Sequence, residues 1–486
     1  MTGARGNPWN RARPKFRKSA VSSDDLADPD AVSLSRIETG RQLAWVALRT
    51  YEQTGRFLKD ILADLDSHHQ LSSFERAAAV DISSGVVRQC RTLDVLLSSL
   101  MSRPRQNVES DLWRVLQLGA WQLVFGRTPD HAAVDTTVQL CRALDRERWT
   151  GFSNGVLRNL ARLLSPDTLS ESSACGLPMP DGHYRRLNSD VFADPGADSP
   201  KYFAEAFSLP DELSARWHRS MTSAQRLTAG FYFLTPPQVV IRINPLLTTI
   251  DEVQRRFLQA EIEVRPGSLP GSLIPVGGSS PERWPGFAEG HWSIQDEAAM
   301  HASMLLAPQP GERVLDLCAA PGGKTTHLAE LSQDGALITA CDVVEGRLDR
   351  IRRNVERLGL KNVEVRLCQR DGSDLPEGMF DACLVDVPCS NTGVLNRRPE
   401  ARWRFRTEDL RELTELQHRL LMTACCRVRP GGRVVYSTCS LEPEENRGVV
   451  DNVIRAFPEM NFVTEKVHLP GQPSDGAYQA MLQRAE

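Results

Sequence analysis

From about residue 300 onward, short apolar runs alternate with helical segments, and this alternation constrains the fold more than any other feature of the chain. Alternation of this kind predicts a parallel, doubly wound α/β sheet, with helices on both faces. The predicted strands are 314–317, 337–341, 363–367, 382–385 and 434–437, and the predicted helices are 324–332, 345–358 and 407–428.

The chain has 486 residues, which is too long for a single core, so we expect several domains. Residues 39–165 show apolar residues at helical spacing and predict an all-α bundle. Residues 166–200 are rich in Ser, Pro, Asp and Gly and predict a linker. Residues 201–300 predict a small α+β module, and 301–486 the α/β domain. Residues 1–38 are basic and predict a disordered tail, which either contacts nucleic acid or only aids solubility.

Composition excludes several classes of protein. Apolar residues make up 41% and charged residues 25%, as in ordinary globular proteins, and no apolar run reaches the ~18 residues of a membrane span. The eleven cysteines are scattered without Cys-x-x-Cys spacing, against a disulfide framework or a zinc ribbon. With no secretory signal at the N-terminus, we expect a cytoplasmic protein. Its net charge of −4 means that a polyanion must meet local basic patches.

The segment Asp316–Lys324 links the first α/β strand to its helix and has the composition of a ligand-binding loop. Small residues and two glycines allow main-chain amides to approach a ligand closely. A phosphate-binding P-loop would need glycine where Cys318 stands, and the Gly-x-Gly-x-x-Gly fingerprint of dinucleotide sites is absent. A nucleoside-containing cofactor such as S-adenosylmethionine is the remaining interpretation.

Acidic residues lie at or just after the ends of the next three predicted strands. Asp342 comes 20 residues after Gly322, where a carboxylate is placed to accept both ribose hydroxyls. Asp371 and Asp386 follow the third and fourth strands. Together these acids predict a polar crevice for a nucleoside.

Two cysteines directly follow predicted strands, Cys389 in Val-Asp-Val-Pro-Cys-Ser and Cys439 in Tyr-Ser-Thr-Cys-Ser-Leu. Strand ends in such a sheet face the ligand crevice, and a thiolate is a strong nucleophile, so this pattern favours covalent catalysis. From position alone either thiol is a candidate to attack.

The segments 315–325, 386–393 and 436–446 closely resemble the corresponding motifs of the RNA (cytosine-5) methyltransferases. The helical region is similar to the NusB-type domain of the bacterial 16S ribosomal RNA enzymes of the RsmB/Sun/Fmu type, through 131–135 and 151–158. The resemblance covers about 39–486. Small departures are Asn391, where glycine is usual, and Gly476-Ala-Tyr, where two aromatics are usual.

This resemblance implies a multidomain architecture: a NusB-like all-α bundle, a small RNA-binding α+β module and a Rossmann-like class I methyltransferase domain. It implies methyl transfer from S-adenosylmethionine to carbon 5 of a cytosine in 16S ribosomal RNA through a covalent cysteine adduct. It favours Cys439 as nucleophile, with Cys389 assisting resolution of the adduct and Asp386 facing the cytosine. Residues expected at the cofactor are Cys318, Ala319, Ala320, Pro321, Gly322, Gly323, Lys324, Asp342, Arg347, Asp371 and Asp386.

The expected partner is 16S ribosomal RNA, before or during small-subunit assembly, bound by a monomer that engages neither DNA nor membrane and needs no metal. Arg242 and Asn244, beside a predicted strand, are either RNA contacts or ordinary surface residues.

Two alternatives are weighed. DNA cytosine methylation would use Cys389 as nucleophile and needs a Glu-Asn-Val element that is absent. An RNA-binding, NusB-like regulatory or assembly factor with an inactive methyltransferase domain would have lost a motif residue, and none is lost.

Overall fold

The computed structural model describes residues 34, 36–69, 71–277, 281–369, 374–375 and 378–486. Nearly all of the predicted basic tail, and Asp371, lie outside the described residues. The chain forms two compact units. The first runs to Thr235 and includes Arg402–Arg404, and the second comprises Pro236–Ala401 and Phe405–Glu486.

The first unit begins with helices, as predicted. Helix α1 starts at Gly40 because Thr39 and Gln42 form a reciprocal capping box, with main-chain to side-chain distances of 3.3 and 3.1 Å. Every residue of α5 from Leu112 to Val124 is buried, so this helix is the centre of the bundle. The helices are α1 Gly40–Thr54, α2 Leu58–His68, α3 Ser73–Arg88, α4 Cys90–Ser99, α5 Ser110–Val124, α6 Asp130–Ala143 and α7 Glu147–Leu163.

Residues 166–200, for which the composition predicts a linker, contain most of a three-stranded antiparallel sheet. Its strands are too short to show a period, and single buried side chains such as Leu177 and Leu187 hold them. The unit ends with three more helices. These elements are β1 Leu164–Leu169, β2 Gly176–Pro178, β3 Tyr184–Leu187, α8 Ser199–Ala206, α9 Asp211–Ser220 and α10 Ser223–Leu234. The last three helices group with this first unit, although the sequence places them with the α+β module.

The second unit begins with a four-stranded antiparallel sheet of order β5-β6-β4-β7. Its core is aromatic and includes Phe257, Trp284 and Trp292. The elements are β4 Ile241–Ile243, α11 Ile250–Gln259, β5 Glu263–Pro266, β6 Ser272–Val276 and β7 Trp292–Ile294.

The α/β part of the second unit contains all five predicted strands and all three predicted helices, with ends shifted by a few residues. The elements are α12 Glu297–Leu306, β8 Arg313–Leu317, α13 Gly323–Leu331, β9 Leu337–Asp342, α14 Glu345–Arg357, β10 Val363–Leu367, β11 Phe380–Asp386, α15 Ala401–Arg404, α16 Asp409–Arg427, β12 Val428–Thr438, α17 Arg447–Ala456, β13 Met460–His468 and β14 Ala477–Arg484. Of α15, only Ala401 belongs to the second unit, since Arg402–Arg404 group with the first.

These strands form one seven-stranded sheet of order β10-β9-β8-β11-β12-β14-β13. The first five are parallel, as predicted, but β14 and β13 run antiparallel, which the alternation pattern did not reveal. A short loop joins β13 to β14, so this pair needs no crossover helix.

Successive residues of β8 enter different cores, as the two-residue period of a strand requires. Val314 packs with α12 and α13, through Leu306 and Leu328. Leu315 packs with α16 and α17, through Leu421 and Val453. Both faces of the sheet are therefore covered, and its polar chemistry is confined to the strand ends.

Candidate active site

The candidate site lies where strand order reverses, at the carboxyl ends of β8 and β11. The chain runs from β8 outward to β9 and β10, then returns to β11 on the other side of β8. Ligands of open α/β sheets bind at such a switch point. The adjacent β8, β11 and β12 place the segments after Leu317, Asp386 and Thr438 side by side.

The loop after β8 has the main-chain geometry of a ligand cradle. Gly322, at φ +98°, precedes α13, and a side chain there would press on the main chain of Ile351 at 3.2 Å. A β-carbon on Gly323 would meet nothing within 4 Å. Cys318 also has a positive φ, 61°, in the loop where P-loops have glycine. The loop thus turns tightly and leaves open space at Gly323.

Asp342 stands at the end of β9 with its side chain against this loop. It is 3% exposed and accepts hydrogen bonds from the amides of Ala320 and Val344, each at 3.2 Å. Arg347 approaches Asp342 at 3.6 Å and donates to the carbonyl of Ala320 at 2.8 Å. The structure therefore brings Asp342 and Arg347 together with the loop.

Asp316 was not among the residues expected at the cofactor, although it begins the loop. It is fully buried, and Thr325 donates to its Oδ2 at 2.6 Å, while Oδ1 has no hydrogen-bond partner among the described residues. Burial raises the pKa of Asp316 to about 7, against the Thr325 hydrogen bond, which lowers it. Its position at the end of an apolar strand was the available signal.

The thiol of Cys318 is not activated. Burial, followed by the nearby carboxylates of Asp342 and Asp386, raises its pKa to about 12. Cys318 therefore remains a thiol at neutral pH and can line a ligand site without acting as a nucleophile.

Lys324 and Asp386 form an ion pair with an Nζ to Oδ2 distance of 2.7 Å. Burial lowers the pKa of Lys324, but the Asp386 carboxylate outweighs burial, and the pKa lies above its ordinary value. Lys324 thus stays charged and fixes the carboxylate of Asp386, which is 35% exposed at the crevice.

The two strand-end cysteines meet. The Sγ atoms of Cys389 and Cys439 are 2.9 Å apart, and both side chains are half-buried. The hydrogen bond to Cys439, together with burial, raises the pKa of Cys389 well above its ordinary value. Cys389 therefore remains a thiol at neutral pH, and either sulfur of the pair can donate the hydrogen bond between them.

Asn391 completes the surroundings of the thiols. Its Oδ1 lies 3.3 Å from Cys439 Sγ and 2.9 Å from Arg398 Nη1, and its Nδ2 donates to the Cys389 carbonyl at 2.8 Å. Its φ of 62° is left-handed, a conformation that Asn tolerates better than most residues. Sequence reasoning noted Asn391 only as a departure from a pattern.

Arg242 and Asn244 are neither RNA contacts nor surface residues. Arg242 is 3% exposed and pairs with Glu330 on α13, and Asn244 is fully buried and donates to the carbonyls of Gly290 and Leu358. Both expectations for this pair are wrong. A polar side chain in or beside a short strand can be buried when the fold supplies its hydrogen-bond partners, and the sequence does not show which residues those partners are.

The described residues contain no group of three or more His, Cys, Asp or Glu side chains able to hold a metal ion. None of the helices in the described ranges has the length and apolar character needed to cross a membrane.

Comparison with known proteins yields two family models. The model described as 16S rRNA methyltransferase RsmB/F matches residues 303–483, and the NusB family model matches residues 38–162. The division agrees with the α/β sheet and the N-terminal helices.

Curated relatives match along most of the chain. The probable ribosomal RNA small subunit methyltransferase B of Synechocystis is 33% identical over 425 residues, covering 86% of this chain and 89% of the relative. The ribosomal RNA small subunit methyltransferase B of Salmonella paratyphi A is 32% identical over 438 residues, covering 89% and 93%. The crystal structure of PH0851 superposes with a TM-score of 0.71, covering 93% of this chain and 100% of that one, at 22% identity. It shares the fold.

Proposed function

The chain belongs to the RsmB/F family of 16S ribosomal RNA methyltransferases, and from this premise we propose that it methylates carbon 5 of a cytosine in 16S ribosomal RNA. The methyl donor in the proposal is S-adenosylmethionine, and the reaction proceeds through a covalent adduct with Cys439.

Family membership makes the chain an enzyme. The alternative of a non-enzymatic assembly factor has no support, because every side chain that the proposed reaction uses is present. DNA methylation is also disfavoured, because the matched family and the curated relatives are named for ribosomal RNA.

The observation that carries the proposal is the pair of thiols 2.9 Å apart at the ends of adjacent strands, next to the β8 loop. Cytosine carbon 5 is a poor nucleophile. Addition of a thiolate to carbon 6 makes carbon 5 enamine-like, so that it can accept an electrophilic methyl group. A second thiol held against the first is then placed to act on the same adduct.

The β8 loop fits the proposed cofactor. It offers small side chains at Ala319 and Ala320, open space at Gly323, and the buried carboxylate of Asp342 beside the loop. Bound there, S-adenosylmethionine supplies the methyl group to be transferred. Asp342 would hold the ribose hydroxyls, and Arg347 would orient that carboxylate.

The chain's own residues divide the remaining work. Cys439 forms a bond to carbon 6, and Asp386, held by Lys324, accepts a hydrogen bond from the cytosine amino group. After methyl transfer, a base removes the carbon 5 proton, and the electron pair of that C–H bond forms the carbon 5–carbon 6 double bond and expels the Cys439 thiolate. The S–H group of Cys389 stabilises that leaving thiolate, so Cys389 assists resolution of the adduct.

The substrate in this proposal is 16S ribosomal RNA before or during small-subunit assembly. The target base must leave its stack to reach the thiols, which favours an unpaired or loop cytosine. We assign the NusB-like helices to binding of the surrounding RNA.

A denaturing gel tests the roles of the two thiols. Each variant is incubated with transcribed 16S RNA and S-adenosylmethionine, and covalent protein–RNA species are detected. Cys389→Ala should accumulate the adduct because release is slow. Cys439→Ala should form none and should not transfer methyl groups.

Cys426→Ala is the matched control, because Cys426 is exposed on α16 outside the site, and this variant should behave as wild type. A covalent band from Cys439→Ala and none from Cys389→Ala would reverse the assignment. A wild-type enzyme that transfers no methyl group to the RNA contradicts the proposed function itself.

A further inference from the structure

We propose that Glu445 is a positioning residue that holds Cys389 and Cys439 in register for the reaction. The catalytic role of Glu445 rests on the proposed function, but its contacts with the two cysteine segments do not depend on it. Glu445 lies between β12 and α17 and is fully buried.

Both cysteine segments converge on this one carboxylate. Ser390, which follows Cys389, donates its amide to Oε1 at 2.9 Å and its hydroxyl to Oε2. Ser440, which follows Cys439, donates its hydroxyl to the same Oε2 at 2.5 Å. Each thiol is therefore one residue away from a group bound to Glu445.

Helix α16 also binds the carboxylate of Glu445. Gln417 on α16 donates to Glu445 Oε1 at 2.9 Å, and to the carbonyl of Pro388, directly before Cys389, also at 2.9 Å. Gln417 is itself fully buried. The helix thus fixes both the carboxylate and one of the two segments it binds.

Pairing between strands β11 and β12 does not hold the two cysteines next to each other. The β11–β12 register ends at Asp386 and Ser437, before either cysteine. Beyond it, main-chain hydrogen bonds join Val387 to Ser437 and Gly393 to Cys439, at 3.0 and 2.9 Å. Neither bond is made by Cys389 or its immediate neighbours, so the serine–glutamate bonds join the two cysteine segments where the main chain does not, in addition to the contacts of Asn391 with both cysteines.

A carboxylate suits this position physically. It accepts about four hydrogen bonds and donates none, and four donor groups surround Glu445. Charge-assisted hydrogen bonds offset the cost of burying the charge, and no described Lys, Arg or His side chain forms an ion pair with it. After the hydrogen bond to Cys439 and burial, the Glu445 charge also helps raise the pKa of Cys389.

The test measures the approach of the two sulfurs directly, without RNA. The full-length protein is treated with diamide, a diazene that oxidises two thiols to a disulfide and is reduced to a hydrazine. Peptide mass spectrometry follows closure of the Cys389–Cys439 bond over time. Cys341 and Cys368, which lie in one buried cluster at the ends of the neighbouring strands β9 and β10, provide an internal control pair in every sample.

Glu445→Gln keeps the shape and removes the charge, which also lowers the pKa of Cys389 and makes that thiol more reactive. The closure rate is therefore divided by the rate at which iodoacetamide labels Cys389, and this ratio should fall by about tenfold, the equivalent of one charge-assisted hydrogen bond. Closure of the control pair should be unchanged. In methyl transfer, kcat should fall by a similar factor while KM for S-adenosylmethionine stays the same, because only the alignment of the thiols has changed.

Should Glu445→Gln fail to fold, the pair Ser390→Ala and Ser440→Ala carries the same test, since it leaves the carboxylate in place and removes both hydroxyl ties. Ser332→Ala is the matched control, because Ser332 is buried like Ser440 but bonds only to main-chain groups near it in the chain, the carbonyl of Ala329 and the amide of Ala336. Closure at the wild-type rate in these variants overturns the proposal. A wild-type chain inactive in methyl transfer refutes only the proposed function, since the closure rates are still measured.

Discussion

Arg242 connects the four-stranded sheet to α13, the helix that follows the β8 loop, and its removal should have a large, specific effect. Its guanidinium makes a two-point contact with Glu330, with Nε to Oε2 at 2.8 Å and Nη2 to Oε1 at 2.6 Å. It also donates to the carbonyl of Gly323 at 3.0 Å and to Thr326 Oγ1 at 3.2 Å. Arg242 and Glu330 are each 3% exposed.

Because both partners are buried, loss of one leaves the other without compensation. Removing one member of a buried ion pair typically costs about 3–5 kcal/mol. Burial raises the pKa of Glu330 even with Arg242 beside it, so the desolvation of this carboxylate is already substantial. Arg242→Met should therefore destabilise the second unit by about 3–5 kcal/mol. Adding Glu330→Gln should recover at least half, because no charge is then left buried.

Hydrogen exchange in increasing urea is the appropriate assay, because whole-chain unfolding of two units is not a two-state process. Peptides that cover α13 report the local free energy of opening. Arg256→Met is the control, since Arg256 forms a partly exposed pair with Glu252 on α11 and should cost less than about 1 kcal/mol. Affinity for S-adenosylmethionine should fall together with the exchange protection.

Two results would refute this reasoning. Equal protection in Arg242→Met and in the double variant would show that the unpaired Glu330 charge is not the source of the cost. Unchanged protection, with the salt dependence of RNA binding reduced by about one phosphate contact, would restore the RNA-binding role of Arg242.

Three further predictions concern the crevice. Asp342→Ala should weaken S-adenosylmethionine binding by about 1–3 kcal/mol, measured by calorimetry against the exposed control Asp349→Ala, and equal affinities would contradict the ribose assignment. Burial raises the pKa of Asp316 from 3.8 to about 7, so the folded state keeps a proton that the unfolded chain releases. Stability should therefore fall by up to about 4 kcal/mol as pH rises from ~4 to ~7, and Asp316→Asn should abolish that fall in thermal melts. Lys324→Met removes the cation that holds Asp386, so kcat should drop by about tenfold or more across the pH range, and an unchanged kcat would exclude this role.

The order of elements in the α/β part was determined by the sequence itself. Alternating apolar runs and helical segments predicted five parallel strands and three helices, and all are present. Strands β8, β9, β11 and β12 lie inside the sheet, where burial on both faces requires mostly apolar residues, whereas β10 is an edge strand that alternates apolar and polar residues. The same logic placed Cys389 and Cys439 at strand ends and Asp342 beside the β8 loop. These are local consequences of periodicity and of glycine-rich turns, so they can be read without the fold.

Strands that are stabilised by a few isolated contacts could not be predicted from the periodicity of apolar residues. The strands between Leu164 and Leu187 are too short to show a period. Strand β13 exposes every residue from Asn461 to Val467, so it lacks the apolar run of a buried strand and was missed together with β14.

Tertiary structure alone decided which polar residues matter. Nothing local distinguishes Glu445 from its neighbour Glu444, or Arg242 from an arginine at the surface. Each acquires its role from partners far along the chain: Ser390 and Gln417 for Glu445, and Glu330 for Arg242. The physical reason is that a buried charge is stable only where the fold supplies its hydrogen-bond partners, and that supply is a property of the assembled sheet and helices.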